Sequence, residues 1–298
     1  SKNQFRRLVF IHGGAGKNHI MGGLIYNELL VITGRWRSYI GFIGISILMP
    51  LILWGFNLGG GSINSEYTSQ LGGSFIMVGS VFNSLLATYI IMNAFWIHIP
   101  FLVTLAAGDS VAADGANGVF RITLIRSTSR LKILVSKLLA SYIYTASLLI
   151  FCAFWSLGIG SIVLGTGDLI VIDNGILILE EGEAWFRMIL GFSLAILVMC
   201  MVATLCFMFS AMVDNSVGPI VGTMFLIIIG YLVIAIPLDF FDKIEPYIFV
   251  HYFDVWLDAF KDPIPWESIG KKTSILVIHS AAFFVIAARV FIQKDIKS

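Results

Sequence analysis

Residues 108–137 read GDSVAADGANGVFRITLIRSTSRLKILVSK, a polar and basic stretch lying between two long apolar runs. It contains Arg121, Arg126, Arg130, Lys132 and Lys137, whereas residues 85–107 and 138–164 on either side contain no charged side chain. Runs of that kind are stable in hydrocarbon. A short loop between two spans that carries so many cations stays on the cytoplasmic side, because moving Lys and Arg across a membrane is unfavourable. The stretch therefore indicates both that the chain is membrane-embedded and which way round it sits.

The bulk composition agrees. Apolar residues make up 58% and charged residues 12%, and the mean hydropathy is +0.91, far from a soluble domain's balance of about half apolar and a quarter charged. A helix needs about 20 apolar residues to cross roughly 30 Å of hydrocarbon. Six runs are that long: residues 39–58, ended by Gly59-Gly60-Gly61, then 85–107, 138–164, 185–213, 217–238 and 273–292. The second run sits in a longer apolar stretch, 74–107, whose first part reads as a short interfacial helix. None alternates strictly as a barrel strand does, so helices satisfy the backbone in lipid. The expectation is an all-α integral membrane protein, one transmembrane domain over residues 1–298 with neither repeat nor linker.

Six spans place both termini on one side, and the cytoplasmic assignment puts 14 of the 19 Lys and Arg residues inside. Acidic residues gather opposite, between Asp168 and Glu183 and in an outer loop over residues 239–272. No Asn-x-Ser/Thr site occurs, which favours a bacterial cytoplasmic (inner) membrane, and no cleavable leader pattern precedes the first span, which is expected to insert the chain itself. Cys152, Cys200 and Cys206 all fall within spans, so an external disulfide framework is not expected.

Ahead of the first span, residues 20–38 place Ile25, Leu29, Ile32 and Trp36 at three-to-four spacing, with Glu28, Arg35 and Arg37 elsewhere around the helix. This reads as an amphipathic helix on the inner leaflet, since each arginine at the bilayer centre costs roughly 2.5 to 3.5 kcal/mol. The stretch IHGGAGKNH, residues 11–19, lacks the first glycine and the final hydroxyl of a phosphate loop, with Ile11 and Asn18 in those places. His251, Asp254 and Asp258 have helical spacing that could present three metal ligands on one face; an amphipathic helix resting on the outer leaflet accounts for the same pattern. His98 and His279 are intramembrane polar groups suited to interhelical hydrogen bonds or to lining a pathway. No set of nucleophile, base and acid, no paired catalytic carboxylates and no zinc spacing appears, so this chain is expected to be no enzyme and to bind no metal or cofactor itself.

With these residues in hand, the basic stretch resembles the cytoplasmic loop between the second and third spans of ATP-binding-cassette (ABC) exporter permeases of the type-2 class. Gly108, Asp109, Ser110, Ala112, Gly118, Arg121, Leu124, Ser129, Arg130, Leu134 and Lys137 match that pattern, and Asp114 stands where the family has Glu. Ala113 replaces a glycine, Val119 replaces a threonine, and Arg126-Ser127-Thr128 shifts the usual Ser-Arg-Pro. The resemblance extends to the interfacial elbow helix with Glu28, Arg35 and Arg37 and to the tail after the sixth span, ARVFIQKDI. It implies a six-span type-2 exporter domain whose coupling loop, residues 108–137 with Asp109, Asp114, Arg121, Arg126, Arg130 and Lys137, seats in a cytoplasmic ABC ATPase. It also implies a second permease copy or homologue as partner, an amphipathic or lipid-like substrate, and ATP and Mg held by the ATPase rather than by this chain. Two rivals stand beside it: a secondary transporter or channel, and a membrane scaffold or mechanotransmitter driven by an ATPase partner. In a two-fold pair, Gly218, Gly222 and Gly230 of the fifth span are expected to let the two backbones approach.

Overall fold

The structure, a computed structural model, describes residues 17–70, 82–116, 129–172 and 176–293. The chain begins with α1, Lys17–Thr33, and turns at residues 34–36 into α2, Arg37–Gln70. Arg35 therefore sits in the turn and Arg37 opens the first span, which corrects the single elbow helix expected over 20–38. Helix α2 also runs past the glycines expected to end it. The stretch of α2 apolar enough to cross a membrane is Arg37–Gly59. Glycine inside a helix lowers stability by about 1 kcal/mol relative to alanine but does not by itself stop the helix. A residue with positive φ is one common way to end a helix, and Gly165, at φ 75°, supplies one just after Leu164.

The expected span 85–107 is two helices, α3, Ser84–Phe95, and α4, Ile99–Ala116, bent by 58°. Pro100 explains the break, since it has no N–H for the carbonyl of Trp96 and disfavours helical geometry at Ile99. Helix α4 runs on through Gly108, and α5, Arg130–Leu164, starts well before residue 138. Both ends of the stretch expected as a loop over 108–137 are thus helical. Helix α5 includes a π-helical segment, Phe154–Ile159, and ends at Gly165. A short antiparallel hairpin follows, β1 (Leu169–Ile172) with β2 (Ile176–Leu179), Leu169 opposite Leu179. This hairpin is the departure from an all-helical chain among the described residues.

Helices α6 (Glu181–Met212), α7 (Val217–Ala235), α8 (Asp239–Ile244) and α9 (Trp266–Gln293) complete the fold. Five helices are long and apolar enough to cross a membrane, and the bent α3–α4 pair makes a sixth. Helix α6 is the central one: 67% of its most apolar window is buried, against 22–33% for the other four long helices. It packs on α4, α5, α7 and α9 through Met188, Ala195, Val198, Met199 and Val202. The outer helices leave large apolar side chains uncovered at helical spacing, such as Ile47, Leu51, Trp54 and Leu58 on α2. That is the stripe expected of a helix facing lipid.

Between α8 and α9 lies a 3-10 helix, Phe249–Phe260, here called the cap. Three residues per turn divide it into three columns. Val250, Phe253, Trp256 and Ala259 are buried in one and Tyr252, Val255 and Asp258 in the next, while His251, Asp254 and Leu257 form the most open column. The cap does not rest on a leaflet surface as expected; it inserts among the helix ends. Phe249 meets Phe283 of α9 edge to face at 5.9 Å, and Trp256 lies 5.2 Å from Trp96. Glycines make room for it. A Cβ at Gly230 would stand 2.6 Å from Val250 Cγ2, and one at Gly191 would stand 3.1 Å from the Phe260 ring. Gly222 likewise faces Phe209 of its own chain. Of Gly218, Gly222 and Gly230, expected to let two copies approach, Gly230 is taken up by a close approach within the chain.

Candidate functional site

The residues singled out at the elbow and around the basic stretch come together at one end of the bundle. Lys137 Nζ lies 2.8 Å from Glu28 Oε2, with the two side chains 3% and 18% exposed. Arg37 Nη1 lies 3.2 Å from Asp109 Oδ1, and Arg35 Nη1 donates to the Asp109 carbonyl at 2.6 Å. The elbow is thus tied to α4 through Asp109 and to α5 through Lys137, the two helices that lead into and out of the basic stretch. Tyr144 adds a hydroxyl bond to the Ser38 carbonyl at 2.9 Å, and Ile32, Ala106, Ala140 and Tyr144 form a small apolar core beneath the ion pairs.

Arg130, at the first position of α5, donates to the carbonyl of Ile292 at 3.0 Å. A cation on the last carbonyls of a helix is favourable for the dipole as well as for the hydrogen bond, so α9 is joined to the same end. Ser129 caps α5, its side chain accepting from Lys132 N at 3.4 Å. Helix α4 includes residue 114 in its backbone; the side chain of Asp114, and Arg121 and Arg126 altogether, lie outside the described residues.

Ser210 of α6 is a residue that the sequence reading missed. Its hydroxyl donates to the Gly108 carbonyl at 2.7 Å and accepts from the N–H groups of Val111 and Ala112 at 3.1 and 2.9 Å. Gly108 is tight here, since a Cβ would stand 2.9 Å from Ile220 of α7. The glycine that opens the quoted stretch is thereby accounted for by a three-helix contact.

A second polar cluster occupies the opposite end. Arg187 of α6, 2% exposed, donates to Glu183 through Nε at 3.0 Å, meets Asp262 at 3.3 Å, and donates to the carbonyls of Ala259 and Lys261. Asp258, 1% exposed, takes Lys261 Nζ at 2.7 Å and Lys272 Nζ at 2.9 Å. Burial alone raises the Asp258 carboxyl, but the two ammonium groups outweigh it and hold the group below its ordinary value. These bonds fasten the end of the cap to α6 and α9. Arg187 had a sequence signal, being the one cation in α6.

The suggested metal triad is not assembled. His251 pairs with Glu245 at 2.7 Å and Asp254 with Lys272 at 3.2 Å, while Asp258 lies in a different column. The 3-10 period, not 3.6, separates them. No group of three metal-ligating side chains occurs among the described residues. His98, in the break after α3, and His279, in α9, each bond a carbonyl four residues back, Ala94 at 3.2 Å and Ile275 at 2.9 Å.

Fold and clusters together define a multi-pass α-helical protein of membrane composition, with an elbow helix ion-paired to the base of two spans. The chain belongs to the DUF2705 family, a family of proteins of unknown function, whose pattern matches residues 43–297. The match contains Asp109, Arg130 and Lys137 but begins after Glu28, Arg35 and Arg37. No curated protein matches the sequence.

Proposed function

We propose that the chain is the membrane-spanning permease subunit of an ATP-driven exporter of the ABC type-2 class. In this reading it sits in a bacterial cytoplasmic membrane with both ends inside, pairs with a second permease, and moves an amphipathic or lipid-like substrate. Hydrolysis belongs to separate cytoplasmic ATPase subunits, which hold ATP and Mg. The observation that carries the reading is the pairing of Glu28 with Lys137 and of Arg35 and Arg37 with Asp109. A partner that pushes on the basic stretch would load α4 and α5 at their bases, and the elbow would share that load. Mixed charge also suits a polar groove on an ATPase, where charge-assisted hydrogen bonds are about twice as strong as neutral ones.

The test reverses Arg121 and Arg126 to Glu together, leaving Arg130 in place because it holds Ile292. Insertion should be unchanged, since Arg130, Lys132 and Lys137 still retain the loop. Association with the ATPase should fall about tenfold or more, the equivalent of about 1.4 kcal/mol. Unchanged association and unchanged ATP-dependent transport would remove the reading.

The break between α3 and α4 favours a second reading, a secondary transporter or channel, because discontinuous helices often carry substrate sites in such proteins. Transport by the purified chain in vesicles without any ATPase would decide for it.

A further inference from the structure

We infer that the break in the second span is a contact surface for a second copy of this chain, held by Asn93 and His98. At 1.5 Å per residue, Asn93 lies about 14 Å along α3 from its polar start at Ser84, where the N–H bonds the Gly165 carbonyl. His98 precedes Gly108, at the ion-paired end of α4, by about 15 Å on the same measure. Both therefore sit near the middle of a hydrocarbon layer roughly 30 Å thick. Both are exposed on the outside of the chain.

Their hydrogen bonds within the chain are local. Asn93 donates to the Tyr89 carbonyl at 2.9 Å, and His98 Nδ1 lies 3.2 Å from the Ala94 carbonyl. A carbonyl only accepts, so Nδ1 carries the proton and Nε2 of the neutral ring is left as an acceptor. Asn93 keeps one amide N–H and its oxygen. Beside them, Pro100 offers no N–H to the Trp96 carbonyl. Hydrocarbon can satisfy none of these groups, so the face is covered by protein.

The groups are complementary to themselves. Turned through a two-fold axis, the Asn93 N–H of one copy meets the partner's His98 Nε2, and the reverse pair forms by symmetry. Ile97 and Phe101, 51% and 44% exposed, supply apolar contact around this polar centre. Gly230 of α7 does not compete for the role, since it is buried against Val250 of its own chain. The inference needs a membrane-spanning chain but no ATPase. A self-paired chain without an ATPase would sink the exporter reading alone.

The test uses the full chain in membranes. Asn93→Cys in one copy and His98→Cys in a co-expressed second copy should form a disulfide-linked dimer on oxidation, while Ile162→Cys, on a surface far along α5, paired with either should not. Replacing Asn93 and His98 together with Leu should raise the dimer dissociation constant about tenfold or more without lowering the thermal midpoint of the monomer. Three results would overturn the inference. One is a monomer in native membranes with no crosslink between cysteines at positions 93 and 98 of co-expressed copies. Another is a double variant that dimerises like the original. The third is an Asn93→Cys thiol that reacts with a charged, water-soluble reagent as fast as a loop cysteine, which would make the face a watery path.

Discussion

The two ends of the bundle hold their charges in different ways. At the elbow, each link joins elements far apart in sequence, Glu28 to Lys137 and Arg37 to Asp109. At the cap, the bonds converge: Arg187 meets two carboxylates and two carbonyls, and Asp258 meets two ammonium groups. A convergent network loses several bonds at once when it opens, so the cap end is rigid. A link between separate helices is loaded whenever those helices tilt. The difference suggests that motion enters at the elbow and that the cap end serves as the fixed reference.

Replacing Arg187 with Met should give the largest effect. It strands buried carbonyls and two carboxylates, and removing one partner of a buried pair costs about 3 to 5 kcal/mol. The lower end applies here, because Glu183 and Asp262 are about half exposed and regain water. A thermal midpoint within experimental error of the original would end the claim of a rigid cap end. Lys137→Met should come next, at about 2 to 3 kcal/mol, because its carboxylate partner is mostly buried. Exchanging the charges, Lys137→Glu with Glu28→Lys, should recover most of that loss if the pair acts as a single link. No recovery would show that the surroundings, not the pair, hold the elbow.

Gly230→Ala should cost about 1 to 3 kcal/mol through overpacking, and Val250→Ala in the same chain should relieve it, since Val250 is what the new Cβ meets. Additive losses would mean that the cap does not bear on α7. The smallest effect concerns pH. The folded carboxyl of Asp258 is held below its unfolded value, so its contribution is fully present above the ordinary carboxylate range of about 4 and is lost as the pH falls below it. Stability measured from pH 6 down to 3 should drop on the acid side. Asp258→Asn should flatten part of that drop.

Much of the architecture was legible because lipid imposes a simple rule on length and polarity. The apolar runs at 185–213 and 217–238 differ by only a few residues from α6 and α7. The break at residues 96–98 was legible in principle from Pro100 alone. The cap was not, since a 12-residue 3-10 helix is unusual and a period of 3.0 is easily read as 3.6 over so short a stretch. The elbow's residue types were legible, but their partners were not: Glu28 and Lys137 are 109 positions apart, and no local pattern links them. Ser210 gave no signal, because one serine in an apolar helix looks the same whether it bonds its own turn or a neighbour's backbone.

The seating of the cap has a consequence for how the chain is made. Its aromatic residues are synthesised after α7 but before α9, and their berth includes Phe283 and Leu276 of that last helix. Until α9 has been threaded into the bilayer, Phe249, Phe253 and Trp256 lack one wall of their pocket. The cap is therefore among the last pieces to find its place during synthesis, and a chain cut short before residue 283 leaves a sticky aromatic surface for quality-control proteases to recognise.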